Sequence, residues 1–330
     1  MSDDAIFIQG LGKRFGAKVA VEELDLVVPR GSLHGLIGPN GAGKTTTIRM
    51  VMSILFPDAG RLSVLGKKSA VESKDRIGYL PEERGVYRKM KVGAFLSHMA
   101  GLKGVTSNVS KKIDDWLERV ELPDVKKKRC DELSKGMQQK IQFISSVIHE
   151  PELLILDEPF SGLDPVNMRL LRDLILEQHT KGVTVIFSTH VMIQAEQLCD
   201  HIVMIESGQK VLDNTLQEIR DRYDPKSIMF EPDAGVGPSP AEQHAGVESV
   251  RQVSPGVFEA ALHDDADRHA VMASVLEQTR ARRVELRRPT LEDVFIEIVE
   301  QRSGGDVDRD ELRAQLQDPA VGADTSEVTP

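Results

Sequence analysis

Three short segments, far apart in the chain, carry side chains suited to cleaving a phosphate chain. Gly38-Pro39-Asn40-Gly41-Ala42-Gly43-Lys44-Thr45 is a glycine-rich run with the spacing G-x-x-x-x-G-K-T. Glycines let the backbone curl so that successive N–H groups point inward at phosphate oxygens. A helix opening at the end of such a run adds a favourable dipole. Lys44 is the expected counter-charge for the β- and γ-phosphates, Thr45 the expected hydroxyl ligand of Mg²⁺, and Thr46 continues the binding run. A glycine-rich turn is the bland alternative, but an apolar strand before the run and a helical pattern after it favour the phosphate cradle. The second segment is Leu153-Leu154-Ile155-Leu156-Asp157-Glu158, four apolar residues ending in two acids. A buried strand would deliver Asp157 to its tip, where a carboxylate holds Mg²⁺ through water. The next side chain along a strand projects the other way. That suits Glu158 to be the base that polarises the attacking water. Ser188-Thr189-His190 follows a third apolar run, and His190 is a candidate contact for the γ-phosphate.

These groups need a rigid frame. Apolar runs at 33–37, 153–156 and 184–187 are each followed by a turn and a helix-like pattern. Buried strands alternating with helices predict an α/β fold with a largely parallel sheet. Residues 92–147 read as helical instead, and Ile113, Trp116, Leu117 and Val120 form an amphipathic face that predicts a packed helical insert. Beyond a Pro/Gly-rich loop at 232–240, strands are expected at 247–253, 257–262 and 282–286, with helices at 266–279 and 291–300. This pattern makes a small α+β unit. Residues 303–330 hold seven acids against two bases and few apolar residues, the composition of a disordered tail.

With the motifs in this order, the chain resembles the ABC-type ATPases. Leu133-Ser134-Lys135-Gly136-Met137 resembles the family's L-S-G-G-Q signature, with Ser134 lying 23 residues before Asp157. Ser161-Gly162-Leu163-Asp164 resembles the loop after the catalytic glutamate, and Phe15 stands where the family stacks an aromatic on adenine. The resemblance implies an ABC-type P-loop ATPase domain over 1–222, with its helical part at about 85–150 and an accessory α+β domain at 223–302. It implies that two copies pair head to tail, so that Ser134 and Gly136 of one close on ATP held by the other. Lys135 and Met137 depart from the signature, and Glu82 stands where the family usually has a glutamine. A carboxylate there can still ligate Mg²⁺, although Glu82 and Glu83 also read as an ordinary acidic turn. The segments 80–87 and 289–295 resemble the sodium-extrusion and ABC-2-type export ATPases.

A net charge of −10 and only 4% aromatic residues argue against a nucleic-acid partner. The N-terminal residues are acidic and lack a signal-peptide pattern, and no run of about 18 apolar residues occurs. Two well-separated cysteines, Cys130 and Cys199, fit a reducing compartment. The expectation is a cytoplasmic ATPase, peripheral on the inner face of the cell membrane, that serves a separate membrane-spanning permease. A soluble ABC ATPase acting on a non-membrane macromolecule is the alternative. The nine histidines show no metal-ligand spacing. The run Lys126-Lys127-Lys128-Arg129 reads first as a solvated loop, with a membrane surface as its other reading.

Overall fold

In a computed structural model, residues 4–83, 85–223 and 226–303 are described. Arg84, counted above with the exporter-like loop, and the acidic tail beyond residue 303 lie outside them. The chain divides into two compact units, the second spanning Gln217–Glu297.

The first unit is built on a six-stranded sheet in the order β5-β6-β7-β3-β8-β9. Its strands are β3 (Leu33–Ile37), β5 (Ile77–Leu80), β6 (Leu153–Asp157), β7 (Thr184–Thr189), β8 (His201–Glu206) and β9 (Gln209–Thr215). All neighbours run parallel except β8 and β9, which form a hairpin. Every residue of β3, β6 and β7 is buried. This explains their unbroken apolar runs, because a central parallel strand is covered on both faces. The hairpin turns through Ser207 and Gly208, with φ of 49° and 82°, the double positive φ of a two-residue turn that follows strand twist.

A second, three-stranded antiparallel sheet has the order β2-β1-β4, from β1 (Asp4–Phe15), β2 (Lys18–Pro29) and β4 (Ala59–Val64). The alternation reading did not separate it from the parallel sheet. Helices α1 (Lys44–Val51), α5 (Pro165–Thr180) and α6 (Met192–Leu198) belong to the α/β frame. The helical insert contains α2 (Val92–Leu102), α3 (Val109–Arg119) and α4 (Lys135–Val147). The predicted face of α3 is packed: Ile113, Leu117 and Val120 are buried. The Trp116 ring meets Phe143 of α4 edge-on at 6.1 Å between centroids.

After α7 (Leu216–Arg222), the small unit carries a four-stranded antiparallel sheet, β11-β12-β10-β13. Its strands are β10 (Ser227–Glu231), β11 (Val247–Ser254), β12 (Val257–Leu262) and β13 (Arg283–Leu286). Helices α8 (Ser239–Glu242), α9 (Arg268–Gln278) and the part of α10 (Leu291–Ser303) up to Glu297 complete it. Its core joins Ile228, Phe230, Val247, Ala260, Val271 and Val275. Sequence reading missed β10, an interior strand of this sheet, and left α8 inside the Pro/Gly-rich loop.

Candidate functional site

The site lies at the ends of β3, β6 and β7. β3 runs into the loop Gly38–Gly43, and α1 begins at Lys44 with Gly43 as its N-cap at φ 109°. A Cβ on Gly43 would stand 2.5 Å from Ala20 O, and one on Gly38 would stand 2.0 Å from Ile205 O. Both approaches are too close for any side chain, so these two glycines are demanded by packing as well as by φ. The hairpin turn braces the loop, since Gly208 N donates to Ala42 O at 2.9 Å.

Lys44 is buried, and its Nζ donates to Gly38 O at 2.7 Å and Pro39 O at 3.0 Å. Burial lowers its pKa, opposed by the charges of Glu158, Asp157 and Glu82. Such a lysine is held inside its own loop, ready to exchange carbonyl oxygens for phosphate oxygens. Thr45 Oγ1 donates to Asp157 Oδ1 at 3.4 Å, and Ser188 Oγ donates to the same oxygen. Asp157 is fully buried, and its Oδ2 has no hydrogen-bond partner. Burial raises its pKa. A buried, orphaned carboxylate oxygen beside a threonine hydroxyl is the donor set of a hard divalent cation. These residues fit Mg²⁺.

Glu158 turns away from Asp157 with φ 48°, and it is 8% exposed. Its carboxylate accepts from His190 N at 2.9 Å and Thr189 Oγ1 at 3.3 Å, and His190 Nδ1 lies 2.8 Å away. Glu82 follows β5 on the same side, exposed to solvent. Partial desolvation raises its pKa, helped by Asp157 and Glu158 and resisted by Lys44. Gln142 of α4 donates to Pro81 O at 3.4 Å and Glu83 O at 3.3 Å, which ties the Glu82 turn to the helical insert.

A cleft of about 470 Å³ is lined by Phe15, Lys18, Ala20, Asn40 to Thr46, Glu82 and Glu158. The structure therefore brings Phe15, Asn40 to Gly43, Lys44, Thr45, Thr46, Glu82 and Glu158 to one cavity. Pro39 is drawn to Lys44 through its carbonyl oxygen. Ser134 and Gly136 do not line this cavity. Ser134 caps α4, its Oγ accepting from Met137 N at 3.3 Å, and Gly136 faces Leu163.

Sequence reasoning singled out His190 and passed over Ser188 and Thr189, which hold Asp157 and Glu158. The signal was there: two hydroxyls ending a strand that is otherwise apolar apart from Thr184, where a buried polar group needs a partner. Gln194, 3.0 Å from the Thr189 hydroxyl, and Gln142 left no such signal, since a glutamine on a helix reads as surface.

Residues 21–161 match the family described as ABC transporter. Residues 215–299 match the one described as ATP-binding protein DrrA1-3-like, C-terminal domain. The uncharacterized ABC transporter ATP-binding protein YhaQ of Bacillus subtilis (strain 168) is 41% identical over 293 residues, 88% of this chain and 97% of that protein. The daunorubicin resistance ATP-binding protein DrrA3 of Streptomyces coeruleorubidus is 32% identical over 314 residues, 90% of this chain and 96% of that protein. A solved structure of an ATP binding subunit of an ABC transporter aligns with a TM-score of 0.63 at 30% identity, covering 66% of this chain and 93% of that one. The glycine loop, the paired acids of β6 and these likenesses agree: the chain belongs to the ATP-binding proteins of ABC transporters, ATP-hydrolysing subunits that work with membrane permeases.

Proposed function

We propose that this chain powers export through its permease partner, as a pair of identical subunits on the inner face of the membrane. Its C-terminal family match and its likeness to a drug-resistance protein support the export direction. Among the described residues no helix is long and apolar enough to cross a membrane, in keeping with a separate pore. Residues 1–222 carry the chemistry. Residues 223–302 serve assembly or regulation, and none of the described residues among them lines the cleft.

The chemistry follows from the residues. Phe15 offers its half-exposed ring to adenine. The loop N–H groups and Lys44 Nζ take the phosphate oxygens. Thr45 Oγ1 and Asp157 Oδ2 would hold Mg²⁺, with the Glu82 carboxylate as a further oxygen donor. When bound, Mg²⁺ draws negative charge off the β- and γ-phosphates. Glu158 accepts a proton from the attacking water as the bond between the γ-phosphorus and the ADP oxygen breaks, and His190 steadies the carboxylate and senses the γ-phosphate. Ser134 and Gly136 of the second copy close the cleft. This accounts for their absence from the cavity of their own chain.

The observation that carries this reading is the orphaned, fully buried Asp157 Oδ2 beside Thr45. The test is Glu158→Gln. Loss of a general base costs about 10²–10⁴ in rate, so steady-state ATP hydrolysis falls by that factor while nucleotide affinity holds and an ATP-bound pair accumulates. Unchanged hydrolysis overturns the assignment.

A further inference from the structure

Phe15 is the only aromatic among the described residues that line the cleft, and it is 49% exposed. A half-exposed ring can turn among its rotamers unless something holds it. Ordering it only when nucleotide arrives would subtract from affinity. Phe15 also ends β1, where the ladder is irregular: the register against β2 shifts on either side of Lys13. Such a shift re-aims side chains and disrupts the pairing that would otherwise fix them.

Asp58 makes up for that irregularity. It lies between α1 and β4 and bonds three successive residues of β1. Its N donates to Gly12 O at 2.8 Å. Arg14 N donates to its Oδ2 at 2.8 Å and Lys13 Nζ to its Oδ1 at 2.9 Å. The Lys13 side chain is 15% exposed. Held there, its Nζ stands over the Phe15 ring, 5.6 Å from the centroid, within the range at which a cation is drawn to an aromatic face. Lys13 does not line the cleft. The ammonium therefore meets the ring from outside, which leaves the cleft side to a second flat group. An ordinary surface ion pair stabilises little, and a role in folding alone would not require the ammonium to stop over the ring that faces the nucleotide.

We propose that Lys13, fixed by Asp58, is a positioning residue for nucleotide binding: it holds the Phe15 ring ready to stack on adenine. The inference rests on the adenine-stacking reading of Phe15 and adds the residue that sets up the stack. Asp58 follows the helix that begins at Lys44. One short stretch of chain thus sets both the phosphate end and the base end of the cleft.

The test is steady-state ATP hydrolysis by the full chain, with inorganic tripolyphosphate as a competitor that has phosphates and no base. Lys13→Met should raise KM for ATP about two- to five-fold with kcat unchanged. Lys13→Arg, which keeps the charge and can still bond Asp58, should restore it. Asp58→Asn should raise KM in the same range. Inhibition by tripolyphosphate should be the same in Lys13→Met as in the wild type. A parallel loss of tripolyphosphate affinity overturns the proposal, since that makes Lys13 a general attractor of phosphate or a prop of the fold. So does an unchanged KM in Lys13→Met. Phe15→Ala separates this proposal from the reading beneath it. Loss of a stack on a base should raise KM about five- to one-hundred-fold, and Lys13→Met should add nothing in that background. A further rise there overturns the clamp. If Phe15→Ala leaves KM unchanged, the stacking reading fails and the clamp falls with it. If Phe15→Ala raises KM while Lys13→Met does not, stacking stands and the clamp alone fails.

Discussion

Glu158 is the proposed general base, and its backbone lies in the left-handed region at φ 48°. A non-glycine residue there costs on the order of 1–3 kcal/mol, a strain that persists only when neighbours over-determine it. Thr189 is one of those neighbours, and its single proton can be followed. The hydroxyl lies 3.3 Å from Glu158 Oε2 and 3.0 Å from the Gln194 side chain, and it accepts from Val191 N at 3.0 Å. One O–H cannot serve two acceptors. If the Gln194 amide presents its NH₂ to Thr189, every group is satisfied and the proton goes to Glu158. Thr189 is then a positioning residue. Thr189→Val should lower kcat about ten-fold, the worth of one hydrogen bond to a charged group, with KM unchanged, and Thr189→Ser should restore it. A matching rise in KM, or no rescue by serine, would point to general disruption instead.

At the scale of elements, the buried parallel strands were the most legible part of the chain. Their apolar runs end in the very residues that line the site, so β3 and β6 were found together with their chemistry. The antiparallel sheet of β1, β2 and β4 was not resolved, because its strands are half-exposed and mix charges with apolar residues. β10 went unread because Ser227-Ile228-Met229-Phe230-Glu231 follows a charged stretch and precedes a proline, and its cross-strand partners are distant in sequence. The pair of elements β5 and α4 makes a prediction of its own. His149, just beyond α4, has Nε2 3.1 Å from Ile77 O of β5, and its Nδ1 is buried without a partner. Burial lowers its pKa to about 4, aided by the charge of Lys103. His34 of β3 is likewise lowered to about 4 by burial and by His201. An unfolded histidine takes its proton near pH 6.5. Stability from these rings is therefore complete above that pH and drains away as pH falls toward 4, by up to about 3 kcal/mol for each ring. Denaturant midpoints measured from pH 7.5 down to 5 should fall, and His149→Gln should flatten the fall. Parallel curves for the two proteins would remove His149 from the account.

For the whole molecule, the division of labour makes a prediction about truncation. Every described residue that lines the cleft precedes Ser207, so a chain ending at Arg222 should bind ATP with an affinity within a few-fold of the full chain. It should pair less readily with a second copy when nucleotide is absent, as light scattering would reveal. Loss of ATP binding by a truncated chain that is still folded would show that the C-terminal residues reach the chemistry after all. Ser134 and Gly136, proposed to serve a second copy, remain the part least readable from one chain, because they lie outside the cleft lined by Lys44 and Glu158. The hairpin turn at Ser207 and Gly208 has a practical consequence. Tips of this kind are the usual choice for inserting a tag, a fluorophore or a foreign loop, since exposed turns tolerate insertion. Here Gly208 N is bonded to Ala42 O, and Glu22 N is bonded to Gly208 O. The turn is the outer clasp of the glycine loop, and a label placed there would be read out as a defect in nucleotide affinity. Reporter chemistry belongs elsewhere on this protein.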